Sequence, residues 1–95
     1  MLTSKERSTL RSMSNGLNAI IHVGKAGASP DIVNSVDEAL EARELIKIDL
    51  LNNCLLEAKE AADIISERTR AEVVQVIGRK FVLFRRSKKK QVIEF

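Results

Sequence analysis

Apolar residues recur at helical spacing in three stretches of the chain. The first helix is predicted from Ser4 to about Ser14, because Thr3 and Glu6 have the spacing of a capping box and Asn15-Gly16 interrupts the pattern. Its core-facing edge would consist of Leu10, Met13 and Leu17. This helix is therefore expected to bury one face and leave the other in water.

Two further helices follow the same reasoning. The second is predicted from Pro30 to Arg43 or Glu44, because Ser29 before a proline is a typical helix start. The third is predicted from about Glu57 to Arg68. Their buried positions would be Ile32, Val33, Val36 and Leu40 in the second helix and Ala58, Ala61, Ala62 and Ile65 in the third.

Four stretches have the composition or the alternation of β-strands. They are Ala19–Val23, Leu45–Leu50, Glu72–Ile77 and Lys80–Arg85, and the last two flank Gly78-Arg79, which suits a type II′ hairpin turn. The predicted order is αβαβαββ. We therefore expect an α/β fold, a two-layer domain in which the helices pack on a mixed four-stranded sheet.

Length and composition favour one small domain that covers residues 1–95. No apolar run approaches the roughly 20 residues of a membrane span, and the first residues carry charges where a signal peptide would be apolar. The one cysteine, Cys54, cannot form an internal disulfide and fits a reducing compartment. We expect a cytoplasmic monomer that does not associate with membranes.

The net charge of +3 hides a strong asymmetry along the chain. Residues 1–30 carry a net charge of +3, residues 31–67 carry −7 and residues 68–95 carry +7. A basic C-terminal segment at 85–90 includes Lys88, Lys89 and Lys90. This pattern favours an anionic partner for the two ends of the chain, although a basic run can also be a solvated tail.

A catalytic or metal site has no signature in the sequence. His22 and Cys54 are the chain's only histidine and cysteine, and they are far apart, so neither a metal-ligand cluster nor a nucleophile pair is indicated. The carboxylates are scattered over predicted solvent faces. We therefore expect no enzyme activity, no metal and no cofactor.

The stretch HVGKAGASPDIV places a G-x-x-G loop, Gly24-Lys25-Ala26-Gly27, between the first strand and the second helix. It is not a nucleotide-binding P-loop, which needs four residues between its glycines and a hydroxyl after the lysine. The motif alone favours a plain turn. Its position before a capped helix, however, would bring backbone N–H groups, Lys25 and a helix N-terminus together, which suits a phosphate.

The aromatic content favours one mode of nucleic-acid binding over another. Three phenylalanines and no Tyr or Trp offer few platforms for stacking bases, and Phe81 and Phe84 should point to opposite sides of their strand. A loop that grips the sugar-phosphate backbone, as the glycine loop of KH domains does, is the better hypothesis.

Three motifs in this order resemble the YhbY family, the free-standing bacterial form of the CRM (chloroplast RNA splicing and ribosome maturation) domain. They are Gly24–Gly27, Ala39–Lys47 and Val73–Lys80, and the opening Leu2–Lys5 matches as well. The resemblance implies an RNA-binding fold with a KH-like glycine loop, similar to the C-terminal domain of the third bacterial translation initiation factor. It also implies association with ribosomal RNA in precursors of the large ribosomal subunit.

These observations lead to one hypothesis and one alternative. In the hypothesis the chain binds RNA and assists maturation of the large ribosomal subunit. In the alternative it is a protein-interaction module whose acidic helices dock a basic ribosomal protein. The candidate RNA-binding residues are Gly24, Lys25, Ala26, Gly27, Arg7, Arg11, Arg79, Lys80, Lys88, Lys89 and Lys90.

Overall fold

The computed structural model describes residues 2–89 and 91–93. The helices are α1 (Ser4–Ser14), α2 (Pro30–Arg43) and α3 (Ala58–Thr69), and the strands are β1 (Ala19–Val23), β2 (Leu45–Leu50), β3 (Glu72–Ile77) and β4 (Lys80–Phe84). The predicted order αβαβαββ is confirmed, and each predicted boundary lies within one residue of the observed one.

Local hydrogen bonds explain where the first two helices begin. The Glu6 N–H donates to Thr3 Oγ1 over 3.1 Å, and the Thr3 N–H donates to Glu6 Oε1 over 2.9 Å, which completes the expected capping box. At α2 the Ile32 N–H donates to Ser29 Oγ over 3.3 Å, and Pro30 occupies the first helical turn.

The four strands form one mixed sheet in the order β1-β2-β4-β3. β1 and β2 are parallel, whereas β4 runs antiparallel to both β2 and β3. Gly78 has a φ of +58° and Arg79 does not have a positive φ, as a type II′ turn requires. The mixed four-stranded sheet is confirmed.

Alternation along β2 and β4 divides the core between the two faces of the sheet. Ile46, Ile48 and Phe81 pack with the buried side of α2 and α3. Leu45 and Phe84 instead pack with Leu10 of α1. The two phenylalanines therefore point to opposite faces, as expected, and α1 adds a partial third layer to the expected two.

Helix α1 buries less of its surface than its sequence suggests. Leu10 is fully buried, but Met13 is 44% exposed, so its expected place in the core is wrong. The side of α1 that faces the sheet is the one that carries Leu10, and Met13 lies outside the cluster around it. Within the described part of the chain, no helix is long and apolar enough to cross a membrane.

Candidate nucleic-acid interface

Three connections meet at one edge of the sheet, which we call the loop edge. They are the glycine loop (residues 24–27), the asparagine loop (residues 51–56) and the turn Gly78-Arg79. The strand register places them together, because Val23 pairs with Leu50 and Asp49 pairs with Lys80. The N-terminus of α2 follows the glycine loop directly, so a helix dipole adds positive potential at this edge.

The structure explains why glycine occupies both ends of the glycine loop. The Gly27 N–H donates to the Gly24 carbonyl over 3.0 Å, and Gly27 has a φ of +62°, which a side chain rarely tolerates. A Cβ on Gly24 would lie 3.2 Å from Asn53 Oδ1, and one on Gly27 would lie 3.4 Å from Leu56 Cδ1. The asparagine loop therefore packs directly under the glycine loop.

Lys25 and Ala26 form the exposed tip of the glycine loop. Their backbone N–H groups donate to no other residue of the described chain. The loop thus presents two N–H groups and one ammonium group to solvent. These donors can bind an anionic oxygen.

Arg79 and Lys80 lie at the same edge but differ in what they touch. Arg79 Nη2 donates to the Leu51 carbonyl over 2.8 Å and to the Cys54 carbonyl over 3.4 Å, so its guanidinium fixes the asparagine loop. Lys80 is exposed and is the cross-strand partner of Asp49 on the neighbouring strand β2. The loop edge therefore combines one supporting arginine with one solvent-facing lysine.

The asparagine loop is also bonded to β1, and α3 is bonded to the residue that directly follows the glycine loop. The Leu51 N–H donates to the Val23 carbonyl over 2.9 Å. Arg68 Nη1 donates to the Ala28 carbonyl over 2.9 Å. These bonds hold the glycine loop against elements that are far from it in sequence.

The arginines of α1 do not join this cluster. Arg7 Nη1 donates to the Val73 carbonyl near the start of β3, which is at the opposite end of that strand from the hairpin turn. Arg11 is exposed on α1, on the sheet face away from α2 and α3. The structure thus separates these two predicted RNA contacts from the glycine loop.

The C-terminal segment (residues 85–93) is anchored to a buried carboxylate at the opposite edge of the sheet. Glu44 is fully buried, and its side chain accepts N–H bonds from Ser87 at 2.7 Å, Val92 at 2.6 Å and Ile93 at 2.8 Å. Arg86 Nη1 lies 3.4 Å from Glu44 Oε1. The described part of this segment is therefore packed on the domain.

The side chain of Glu41 also anchors the C-terminal segment, by accepting hydrogen bonds from one hydroxyl and two backbone N–H groups of that segment. Glu41 Oε2 accepts from Ser87 Oγ at 2.6 Å and from the N–H groups of Lys88 at 2.9 Å and Lys89 at 3.1 Å. The Lys88 and Lys89 residues remain exposed, and Lys90 lies outside the described residues. Two predicted lysines are thus held away from the glycine loop, at the opposite edge of the sheet.

Hydrogen bonds lower the pKa of both anchoring carboxyls. For Glu41 the Ser87 hydroxyl has the largest effect, followed by the Lys89 N–H. For Glu44, burial alone would raise the pKa, but the N–H groups of Ile93, Ser87 and Val92, together with Arg86, outweigh it. Both groups are therefore held in their charged form.

Local sequence patterns do not indicate these supporting roles. Glu41 and Glu44 looked like ordinary members of an acidic helix, and nothing local marks Arg79 or Arg68 as a ligand of backbone carbonyls. Each of these contacts joins residues more than 20 positions apart. Only the three-dimensional arrangement reveals them.

His22 and Cys54 occupy ordinary structural positions. His22 Nδ1 lies 3.4 Å from Asp49 Oδ2 on the neighbouring strand. Cys54 is buried in the core beside α3. Among residues 2–89 and 91–93, no group of His, Cys, Asp and Glu side chains could hold a metal ion.

Comparison with known proteins relates this arrangement to a family. The chain is 40% identical to the Probable RNA-binding protein YqeI of Bacillus subtilis over 99% of this chain and 98% of that protein. It is 36% identical to the Probable RNA-binding protein MJ0652 of Methanocaldococcus jannaschii over 88% of this chain and 63% of that protein. These names describe RNA-binding proteins, not enzymes.

A solved structure and a family model agree with this relation. The solution structure of SAV1595 from Staphylococcus aureus, described as a candidate RNA-binding protein, superposes with a TM-score of 0.82 at 42% identity, over 99% of this chain and 98% of that one. The model of the CRS1/YhbY (CRM) domain matches residues 2–85. The chain therefore belongs to the CRS1/YhbY (CRM) domain family.

Proposed function

We propose that this chain is a non-enzymatic RNA-binding protein that grips the sugar-phosphate backbone with its glycine loop. The observation that carries the proposal is the exposed tip of that loop, where the N–H groups of Lys25 and Ala26 lack described partners beside the Lys25 ammonium. A bound phosphate would accept hydrogen bonds from these two N–H groups and would lie close to the positive charge of the ammonium group. The names of the relatives support RNA as the ligand.

The cations near the loop would extend this contact. Lys80 is exposed at the same edge and would meet a neighbouring phosphate, whereas Arg79 would act by holding the asparagine loop. Asp31 and Asp49 carry opposite charge in this region, so the attraction would be local to the loop tip and Lys80. We also propose that the protein acts as a monomer in the cytoplasm.

We further propose ribosomal RNA as the target and maturation of the large ribosomal subunit as the process. Support comes from the resemblance to the ribosome-maturation branch of the CRM family. Crosslinking the protein to RNA in cells and sequencing the attached fragments tests this step. Enrichment of large-subunit precursor RNA is expected, and dispersed messenger fragments without ribosomal enrichment would contradict it.

The alternative of an acidic docking module loses part of its surface in the folded protein. Asp37 pairs with Arg85, and Glu41 and Glu44 accept hydrogen bonds from the C-terminal segment. The C-terminal half of the acidic side of α2 is therefore partly covered by the same chain, whereas Glu60 and Asp63 of α3 stay exposed. The acidic surface left for a basic protein is thus mainly that of α3.

The test of the loop is a double substitution, Lys25→Asp with Ala26→Asp. It keeps both glycines and every core residue, so the melting temperature should stay close to that of the parent. Two carboxylates would stand where a phosphate approaches, and the affinity for single-stranded RNA should fall at least about tenfold. The parent's affinity should also fall with rising salt, with a log-log slope of roughly −0.7 per phosphate contact.

A matched control changes the net charge by the same amount elsewhere. Lys5→Asp with Ser8→Asp alters exposed positions in the first turns of α1, where acidic residues suit the helix dipole. This control should bind RNA much more tightly than the loop variant. Equal binding by the parent and the folded loop variant would show that the glycine loop is only a turn.

A further inference from the structure

We propose that Asn53 reads one unpaired base of the bound RNA, with a preference for adenine, beside the phosphate held by the glycine loop. This inference rests on the proposed function, because it assumes that RNA approaches the loop edge. It adds a residue that selects a base to a surface otherwise made of backbone donors and cations.

The position of Asn53 is the first argument. Its amide lies against Gly24, where an added Cβ would be 3.2 Å from Oδ1 and 3.8 Å from Nδ2. The side chain is therefore next to the glycine loop that is proposed to hold a phosphate. A base attached to that nucleotide or its neighbour would come within reach of the amide.

The rigidity of the asparagine loop is the second argument. The Cys54 N–H donates to the Leu51 carbonyl over 3.0 Å, and the Cys54 side chain is buried. Arg79 binds the Leu51 and Cys54 carbonyls from the other side. Asn53 therefore stands on a braced turn, so the backbone that carries its amide loses little freedom on binding.

Two usual advantages of an asparagine in a turn do not apply to Asn53. Asparagine is often chosen in turns because it tolerates a positive φ or because its side chain bonds to the nearby backbone. Asn53 has no positive φ. Its amide makes no hydrogen bond with the described residues, and the residue is exposed. The free amide is thus available to a ligand.

The chemistry of the amide points to a base and not to a phosphate. An asparagine side chain presents an acceptor oxygen beside an NH₂ donor, and this pair matches N7 and N6–H₂ on the Hoogsteen edge of adenine, where no other base has an acceptor next to a donor. Unpaired bases in single-stranded RNA expose these edges for such contacts. Phosphate oxygens are acceptors and would bind only the N–H donors of the amide. The N–H groups and the Lys25 ammonium of the glycine loop already provide such donors.

The test uses four single-stranded RNA oligonucleotides of equal length that differ at one central base. The parent should bind the adenine form at least about fivefold more tightly than the other three, as expected for the lower range of a bidentate amide-base contact. Asn53→Ala should reduce this preference to less than about twofold, by weakening the binding of the adenine form. Asn34→Ala, at an exposed position of α2, is the control and should keep the preference.

The outcomes separate this inference from the proposed function. If the parent binds RNA but shows no adenine preference, or if the folded Asn53→Ala variant keeps it, the base-reading role is wrong and RNA binding stands. If the parent binds none of the four RNAs while its melting curve shows a folded protein, both proposals fail. Thermal melting of every variant ensures that lost preference is not lost folding.

Discussion

Glu44 is a fully buried charged residue in an unusual backbone conformation. Its φ of +66° places it in the left-handed region, which costs a non-glycine residue roughly 1–2 kcal/mol. Burial of its carboxylate would add a further cost. Three backbone N–H groups and Arg86 compensate for both, so the residue joins the end of α2 to the C-terminal segment.

This arrangement predicts a pH-dependent contribution to stability. The pKa of Glu44 is lower in the folded protein than its ordinary value near 4.3, so the folded state binds protons less readily than the unfolded state. The stabilisation should be fully present above that ordinary value and should be lost as the pH falls through the folded pKa. Glu41, whose pKa is also lowered, should add in the same direction.

The measurement compares the parent with Glu44→Gln by chemical denaturation between pH 7 and pH 3. At pH 7 the substitution should lower the free energy of unfolding by at least about 1 kcal/mol, because buried N–H donors lose a charged acceptor. The difference between the two proteins should shrink as the pH falls below the ordinary pKa of a glutamate. A constant difference across the whole range would show that the charge of Glu44 does not contribute.

At the scale of elements, the hairpin turn supports the glycine loop indirectly, because the asparagine loop lies between them. Arg79 binds two carbonyls of the asparagine loop, and that loop in turn packs under Gly24 and Gly27. Leu51 also bonds to the end of β1. The shape of the glycine loop therefore depends on a residue that is more than 50 positions later in the chain.

Arg79→Ala and Lys80→Ala form a natural pair to test this support. Each removes one positive charge from the loop edge, but only the first removes hydrogen bonds to the asparagine loop. Amide hydrogen exchange should accelerate in residues 24–27 and 51–56 of Arg79→Ala and stay unchanged in Lys80→Ala. RNA affinity should fall further in Arg79→Ala, while Lys80→Ala should mainly reduce the salt slope by about 0.7.

Equal exchange and equal affinity in the two variants would mean that Arg79 acts only through its charge. In that case its bonds to Leu51 and Cys54 would not shape the surface. The comparison thus distinguishes a supporting residue from a direct phosphate contact.

The elements could be predicted from sequence because their signals are local. The capping box at Thr3, the Ser29-Pro30 start and the Gly78 turn each depend on neighbours a few residues apart, and all three are confirmed. Met13 was misplaced because its burial depends on which side of α1 faces the sheet, which no local pattern specifies.

Of the candidate site, only the glycine loop could be predicted from the sequence. The glycine loop could be found because its glycines, lysine and helix start are contiguous. Arg79 was grouped with it for its charge, but its bonds to the asparagine loop could not be foreseen. Glu44 was missed because its partners lie more than 40 residues away.

Over the whole molecule, the charge asymmetry of the sequence is partly cancelled by folding. The acidic α2 and the basic C-terminal segment contact each other through the pairs Asp37–Arg85 and Glu44–Arg86. The Glu41 carboxylate is bound to backbone N–H groups of Lys88 and Lys89, which leaves their ammonium groups directed to solvent as exposed residues. Cations therefore remain available at two separate edges of the sheet.

The lysines of the C-terminal segment should add affinity without adding selectivity. Lys88→Ser with Lys89→Ser keeps the backbone bonds to Glu41, so the fold should persist. Binding to all RNAs should weaken by a similar factor, and the salt slope should become shallower by up to about 1.4, because two phosphate contacts are lost. Filter binding or fluorescence anisotropy at several salt concentrations measures both quantities.

The control for that variant is Lys88→Arg with Lys89→Arg, which preserves the two charges and should bind like the parent. Charge alone is the expected cause, because the anchored backbone holds the lysines at the edge opposite the glycine loop and its neighbouring Asn53. If the serine variant lost binding to one preferred RNA and kept its affinity for the others, the segment would read that RNA directly. A uniform loss that the arginine variant reverses would instead make the C-terminal segment a general electrostatic contact, with selectivity left to the loop edge.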